Sequence, residues 1–366
     1  MKYFIERNAG KPAYLQLYEQ IRKDITDGIY LFGERLPSKR TVAEELEIST
    51  VTVEHCYALL CDEGYAEARE RSGYFVSFRK EESFASFPER EKTVKEYAFF
   101  SGDSASDVFP FSVLAKVMRR VISDYGEKIL ERSPGNGCAE LRGAISHYLA
   151  RSRGIYVTPD QIVIGSGAEY LYGLIVELLG REKIYAIESP SYEKIEQVYR
   201  ASGVKYESLP LGTDGIESAQ LHGSSAQVLH ITPYRSFPSG VSASASKRHE
   251  YIRWTEKGER YIVEDDFESE FSVSTKAEET VFSLSQSGNV IYINTFSKTV
   301  SPSVRVGYMV LPEKLVPVFV EKLGFYSCTV PTFEQYVLAE LIDNGDFERH
   351  INRVRRKKRK EQAGAI

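Results

Sequence analysis

The chain has 366 residues, 42% hydrophobic and 27% charged, which is ordinary globular material and long enough for two or more domains. A net charge of −5 excludes a general polycation, so any nucleic-acid contact must come from a local patch. Cys56, Cys61, Cys138 and Cys328 are scattered without a CxxC pair, and there is neither a long apolar run nor a signal-peptide core. A disulfide framework, a zinc site and a membrane span are thereby set aside, and a cytoplasmic protein is expected.

In chain order, residues Pro12 to Asp27 read as a helix, with Tyr14, Leu17, Tyr18, Ile21 and Ile25 at helical spacing and Gly28 as its stop. Ser38 stands where an N-cap belongs, and Val42 and Leu46 share one face of the short helix after it. Ser49 caps a third helix, Thr50 to Glu63, whose Val53, Tyr57 and Leu60 face inward. After Gly64, the run GYAEARERSGYFVSF alternates as a hairpin turning at Ser72-Gly73. Three helices and a hairpin make a winged helix-turn-helix. In that arrangement Thr50, Thr52 and His55 are the exposed base-edge candidates, and Lys39, Arg40, Arg69 and Arg71 the phosphate candidates. A small protein-binding helical module is the plain alternative.

The order LPSKRTVAEEL, STVTVEHCYALLCDEGY, SGYFV is more specific than the helix pattern, and it resembles the DNA-binding domain of GntR-type bacterial regulators. Two positions depart from that pattern: Thr50 and His55 stand where the family often has arginine. Fewer arginines imply weaker guanine and phosphate contacts from one copy, so a dimer is expected.

Residues 80–97, KEESF onward, are charged and poor in aliphatics, as in a tether between a domain at 1–79 and another at 98–366. From Tyr156 short apolar runs alternate with helical patterns such as Leu171 to Leu179 and Tyr251 to Lys257. The expected strands are Gln161–Ile164, Lys183–Ile187, Gln227–Ile231, Arg260–Val263, Val290–Ile293 and Val306–Leu311. This alternation predicts an α/β domain with a mostly parallel sheet, whose ligands gather at the carboxyl ends of the strands.

Each strand end carries a usable part. Ser166, Gly167 and Ala168 open a helix whose N–H groups suit a phosphate. Tyr192 offers an aromatic face, Asp265 a carboxylate for a pyridine nitrogen, and Lys298 an amine for a Schiff base. Thr295, Ser297 and Arg305 add phosphate donors. Any one of these alone is commonly a turn, a helix cap or a surface lysine. Together they fit pyridoxal 5'-phosphate.

The series SGAEYLYGL, ESPSY, TPYRSFPSG, VEDDFESEF, TFSKTVSPSVRVGY resembles fold-type-I aminotransferases, and joined to the GntR-like head it resembles the MocR family of chimeric regulators. The resemblance implies Lys298 as the Schiff-base lysine, Asp265 as the pyridine partner, Tyr192 stacked on the ring, and Ser166, Gly167, Ala168, Thr295, Ser297 and Arg305 around the phosphate. Phe267 replaces a tyrosine whose hydroxyl reaches the cofactor's phenolic oxygen, and Tyr234 to Gly240 alters the family's polar residues. The family also continues beyond the basic run Arg353 to Lys360, which implies an incomplete small C-terminal domain here, without the arginine that grips a substrate carboxylate. The expected function is an operator-binding, homodimeric regulator that senses an amino acid or amine through Lys298. A working aminotransferase with an accessory head, and a cofactor-free DNA-binding protein, are the rivals.

Overall fold

The computed structural model describes residues 3–6, 10–70, 72–79, 109–267, 269–272, 279–286 and 288–364. The chain divides into two compact units, Met1–Phe100 and Ser101–Ile366. The proposed tether at 80–97 and Arg71 lie outside the described residues.

The first unit begins with α1 (Ala13–Thr26), α2 (Lys39–Leu46) and α3 (Thr50–Asp62). Ser38 and Ser49 cap α2 and α3 by accepting the N–H of Thr41 and Thr52. The turn between them is closed by Glu47 in the left-handed region, φ 51°. Leu17, Tyr18, Ile21 and Ile25 of α1 pack with Val42, Val53, Cys56, Tyr57 and Leu60 in one core. Fully burying each large aliphatic side chain contributes about 1.5–3 kcal/mol, which is what holds helices too short to persist alone. Strands β1 (Ala66–Arg69) and β2 (Gly73–Val76) form the antiparallel hairpin, from Ala66 opposite Val76 to Arg69 opposite Gly73. Arg35 bridges to Phe75, so the segment before α2 lies along β2 and widens the wing beyond two strands.

The second unit is built on a seven-stranded sheet in the order β3-β9-β8-β7-β6-β4-β5. Its strands are β3 (Ile162–Gly165), β4 (Ile184–Ser189), β5 (Lys205–Pro210), β6 (Val228–Ile231), β7 (Tyr261–Asp265), β8 (Val290–Thr295) and β9 (Gly307–Val310). Only β9 runs against its neighbours, β3 and β8. The helices are α4 (Phe111–Tyr125), α5 (Ala139–Arg153), α6 (Ala168–Leu179), α7 (Glu193–Ala201), α8 (Ser218–Gly223), α9 (Ala245–Thr255), α10 (Val281–Leu284), α11 (Val316–Leu323), α12 (Thr332–Asp343) and α13 (Asp346–Gly364). The expected helix Tyr251 to Lys257 overlaps the second half of α9, which ends at Thr255 and which Ser244 caps by accepting the N–H of Lys247.

Alternate strand residues serve opposite layers. Ile162, Ile164, Tyr292, Tyr308 and Val310 pack towards α5 and α12, whereas Val163, Ile291, Ile293 and Met309 pack towards α6 and α11. Burial on both faces explains why the strands read as continuous apolar runs. The register sets Gly165 opposite Gly307, Gly307 opposite Thr295, and Asp265 opposite Ile293. The ends of β3, β7 and β8 therefore share one edge of the sheet. Among the described residues no helix is long and apolar enough to cross a membrane.

Candidate functional site

At that edge Asp265 is only 2% exposed. Its Oδ2 accepts the Tyr172 hydroxyl of α6 and lies 3.7 Å from His230 Nε2 of β6. Its Oδ1 has no hydrogen-bond partner among the described residues. The two flanking acids are engaged otherwise. Glu264 accepts the N–H groups of Val281 and Phe282 at 2.8 and 2.7 Å, and the Tyr234 hydroxyl at 3.0 Å, so it serves the start of α10. Burial, then the charge of Asp266, pushes the Glu264 carboxyl up to about 7. Asp266 accepts from Tyr292 at 2.7 Å and lies 3.4 Å from Arg153 Nε. Burial raises Asp266 to about 6 even though Arg153 opposes the shift. Among the described residues Asp266 also keeps one oxygen without a hydrogen bond, but its charge is met by a buried arginine.

Lys298 follows β8, and its ammonium lies 4.5 Å from the ring centroid of Phe267. Phe267 is two residues beyond Asp265, so the amine and the carboxylate are brought to neighbouring strand ends. The ring that replaces the family's tyrosine supports the lysine through a cation–π contact and offers no hydroxyl.

A third cluster forms where α6 begins. Gly167 has φ +104°, and a Cβ there would come within 2.8 Å of the Arg305 guanidinium, so this turn needs glycine. Arg305 donates to Glu169 Oε2, and Lys194 to Glu169 Oε1. The Ser166 N–H donates to Thr329 Oγ1 at 3.1 Å. Ser297 donates its hydroxyl to the Val304 carbonyl at 3.0 Å, tying the Lys298 turn to the approach of Arg305. Thr295 and Ala168 are half-buried beside this cluster. Tyr192, also half-buried, meets Phe237 edge-on at 6.3 Å, and the Lys194 ammonium lies 5.7 Å from its ring centroid.

On the first unit, Thr50 and His55 are exposed on α3 as expected. Thr52 is not: it is half-buried, and its hydroxyl hydrogen-bonds Ser49 Oγ at 2.8 Å because the cap draws it inward. Arg40 is exposed. Lys39 is paired with Glu54 at 2.9 Å, and Arg69 with Glu67 at 2.6 Å while lying over Phe75. Arg35, beside Gly73 on the wing, is an exposed cation that the motif reading missed.

Sequence comparison agrees with both units. Residues 13–76 match the family described as bacterial regulatory proteins, gntR family, and residues 101–363 match aminotransferase class I and II. The uncharacterized HTH-type transcriptional regulator YdeL of Bacillus subtilis is 31% identical over 98% of this chain and 80% of its own length. The probable rhizopine catabolism regulatory protein MocR of Rhizobium meliloti is 30% identical over 96% of this chain and 76% of its own.

The chain belongs to the MocR family.

This MocR-family protein is accordingly a DNA-binding transcription regulator with an aminotransferase-like domain of fold type I. A solved relative of that domain is the kynurenine aminotransferase of Pyrococcus horikoshii, at TM-score 0.62 and 26% identity over 68% of this chain. The chain spans 64% of the length of that enzyme.

Tyr172, His230 and Glu169 belong to none of the strand-end motifs, yet they contact Asp265 or Arg305. Tyr172 and Glu169 lie on α6 behind the SGA turn, and only the fold brings them to Asp265 and Arg305.

Proposed function

We propose that the aminotransferase-like domain binds pyridoxal phosphate and uses it to sense an amino acid or amine, changing how the winged helix holds operator DNA. The observation that carries this reading is the pair of Asp265 and Lys298. A buried carboxylate oxygen with no donor among the described residues stands at one strand end, and an amine lies over the ring two residues beyond it. Burying a charged acceptor without a partner is costly, and a pyridine N–H is a donor of the right kind.

The remaining parts fit the same group. The Gly167 turn and the N-terminal end of α6 suit a phosphate, with Arg305, Thr295 and Ser297 around it. Tyr192 would cover one face of the ring. When bound, pyridoxal phosphate supplies an aldehyde that condenses with primary amines and a ring that withdraws electrons once its nitrogen is protonated. Asp265 would hold that proton at the nitrogen. Lys298 and the amino group of an effector would compete for one carbonyl. If the two outcomes favour different arrangements of the protein, operator affinity shifts by their difference in free energy. We further infer a cytoplasmic homodimer, since two heads match a palindromic operator.

The test is operator binding. A duplex selected by the protein from a random pool is titrated with and without pyridoxal phosphate and a panel of amino acids and amines. Some amines should change the affinity of the cofactor-loaded wild type and leave Lys298→Ala unmoved. A panel that moves neither protein, or both equally, contradicts the sensor reading.

A further inference from the structure

The Asp265 carboxylate is surrounded by groups from three separate elements. From α6, Tyr172 donates its hydroxyl to Oδ2. From β6, His230 Nε2 lies 3.7 Å from that same oxygen and has no hydrogen-bond partner among the described residues. From α7, the Tyr199 hydroxyl meets the other ring nitrogen, Nδ1, at 2.7 Å. The rings pack edge to face, with centroids 4.9 Å apart for Tyr172 and His230 and 5.6 Å for Tyr199 and His230. All four residues are buried.

The hydrogens can be assigned by elimination. Burial above all, and the Asp265 charge next, pushes the Tyr172 phenol well above its usual range, and burial does the same for Tyr199. Both hydroxyls keep their hydrogens and remain donors. A lone pair on His230 Nε2 would repel the carboxylate, so the proton belongs on Nε2 and Nδ1 accepts from Tyr199. The result is an asymmetric carboxylate: among the described residues the Tyr172 hydrogen bond and the longer 3.7 Å approach of His230 Nε2 both fall on Oδ2, and no donor reaches Oδ1.

We propose that Tyr172, backed by His230 and Tyr199, is a positioning residue that fixes the rotation of the Asp265 carboxyl group and reserves Oδ1 for a ring nitrogen. This rests on the cofactor reading above. Neither tyrosine nor the histidine touches the cofactor in this scheme; each acts through Asp265. Tyr172→Phe removes one oxygen and keeps the ring packed on His230, so the core is preserved.

The experiment is a double-mutant cycle on the full chain, reading pyridoxal phosphate affinity from visible absorbance with a thermal melt as a check on folding. Tyr172→Phe alone should weaken binding about tenfold, the scale of a hydrogen bond to a charged group. In an Asp265→Asn background the same change should alter affinity less than about twofold, because the group it acts through has lost its charge. Equal losses in both backgrounds would make Tyr172 a purely structural residue and overturn the proposal, as would no loss in either. A well-folded wild type that takes up no pyridoxal phosphate would instead overturn the cofactor reading, and this inference with it.

Discussion

The Arg305 guanidinium donates to Glu169 Oε2 at 2.6 Å. The other oxygen of that carboxylate accepts from Lys194 at 2.9 Å. An acid therefore stands where the chain gathers positive charge beside Gly167, and it competes with any phosphate for the same two cations. Glu169→Gln should tighten pyridoxal phosphate binding by about threefold, a modest gain because exposed ion pairs are screened. Pyridoxal, which has no phosphate, should bind the variant and the wild type alike. A spectral titration with both compounds checks this, and equal tightening for both would remove Glu169 from the phosphate site.

Glu264 gives the second unit a pH signature. Burial raises its carboxyl from 4.5 to about 7. A group raised in this way binds its proton more tightly folded than unfolded, so its effect on stability worsens as pH rises through that window. The stability of the wild type relative to Glu264→Gln should fall between pH 4.5 and 7, by at most about 3 kcal/mol. Urea unfolding of both proteins across this range is the measurement, and a flat difference would contradict the buried, proton-binding role.

On the winged helix, Arg40 is exposed while Lys39 is held by Glu54 at 2.9 Å. Arg40→Ala should lower the slope of log affinity against log salt by about one, as expected for a single lost phosphate contact. Lys39→Ala should change it less, because Glu54 already takes part of that charge. Salt titrations of a selected duplex distinguish the two, and an unchanged slope for Arg40→Ala would move the phosphate contacts elsewhere on the domain.

Most of the architecture was legible because both faces of the sheet are buried. Strands such as Val290 to Ile293 read as unbroken apolar runs, and the motifs fell at their ends. The strand Lys205–Pro210 escaped because it lies at the sheet edge, where only Leu209 is buried and no run marks it. Helices α4 and α5, ahead of the first strand, also went unassigned. In the site, Lys298 and Asp265 could be chosen from their positions after strands. Tyr172 and His230 could not: their contacts with Asp265 span α6, β6 and β7, and nothing local distinguishes a buried tyrosine that holds a carboxylate from one that fills a core. Thr52 failed for a local reason, since the Ser49 cap takes its hydroxyl.

The most direct test is chemical. The protein is incubated with pyridoxal phosphate, reduced with borohydride, digested and mapped by mass spectrometry. A phosphopyridoxyl group on the peptide carrying Lys298, absent from Lys298→Ala, is the predicted result. A label on a different lysine, or no label on a folded protein, would contradict the assignment of this strand end as the cofactor site.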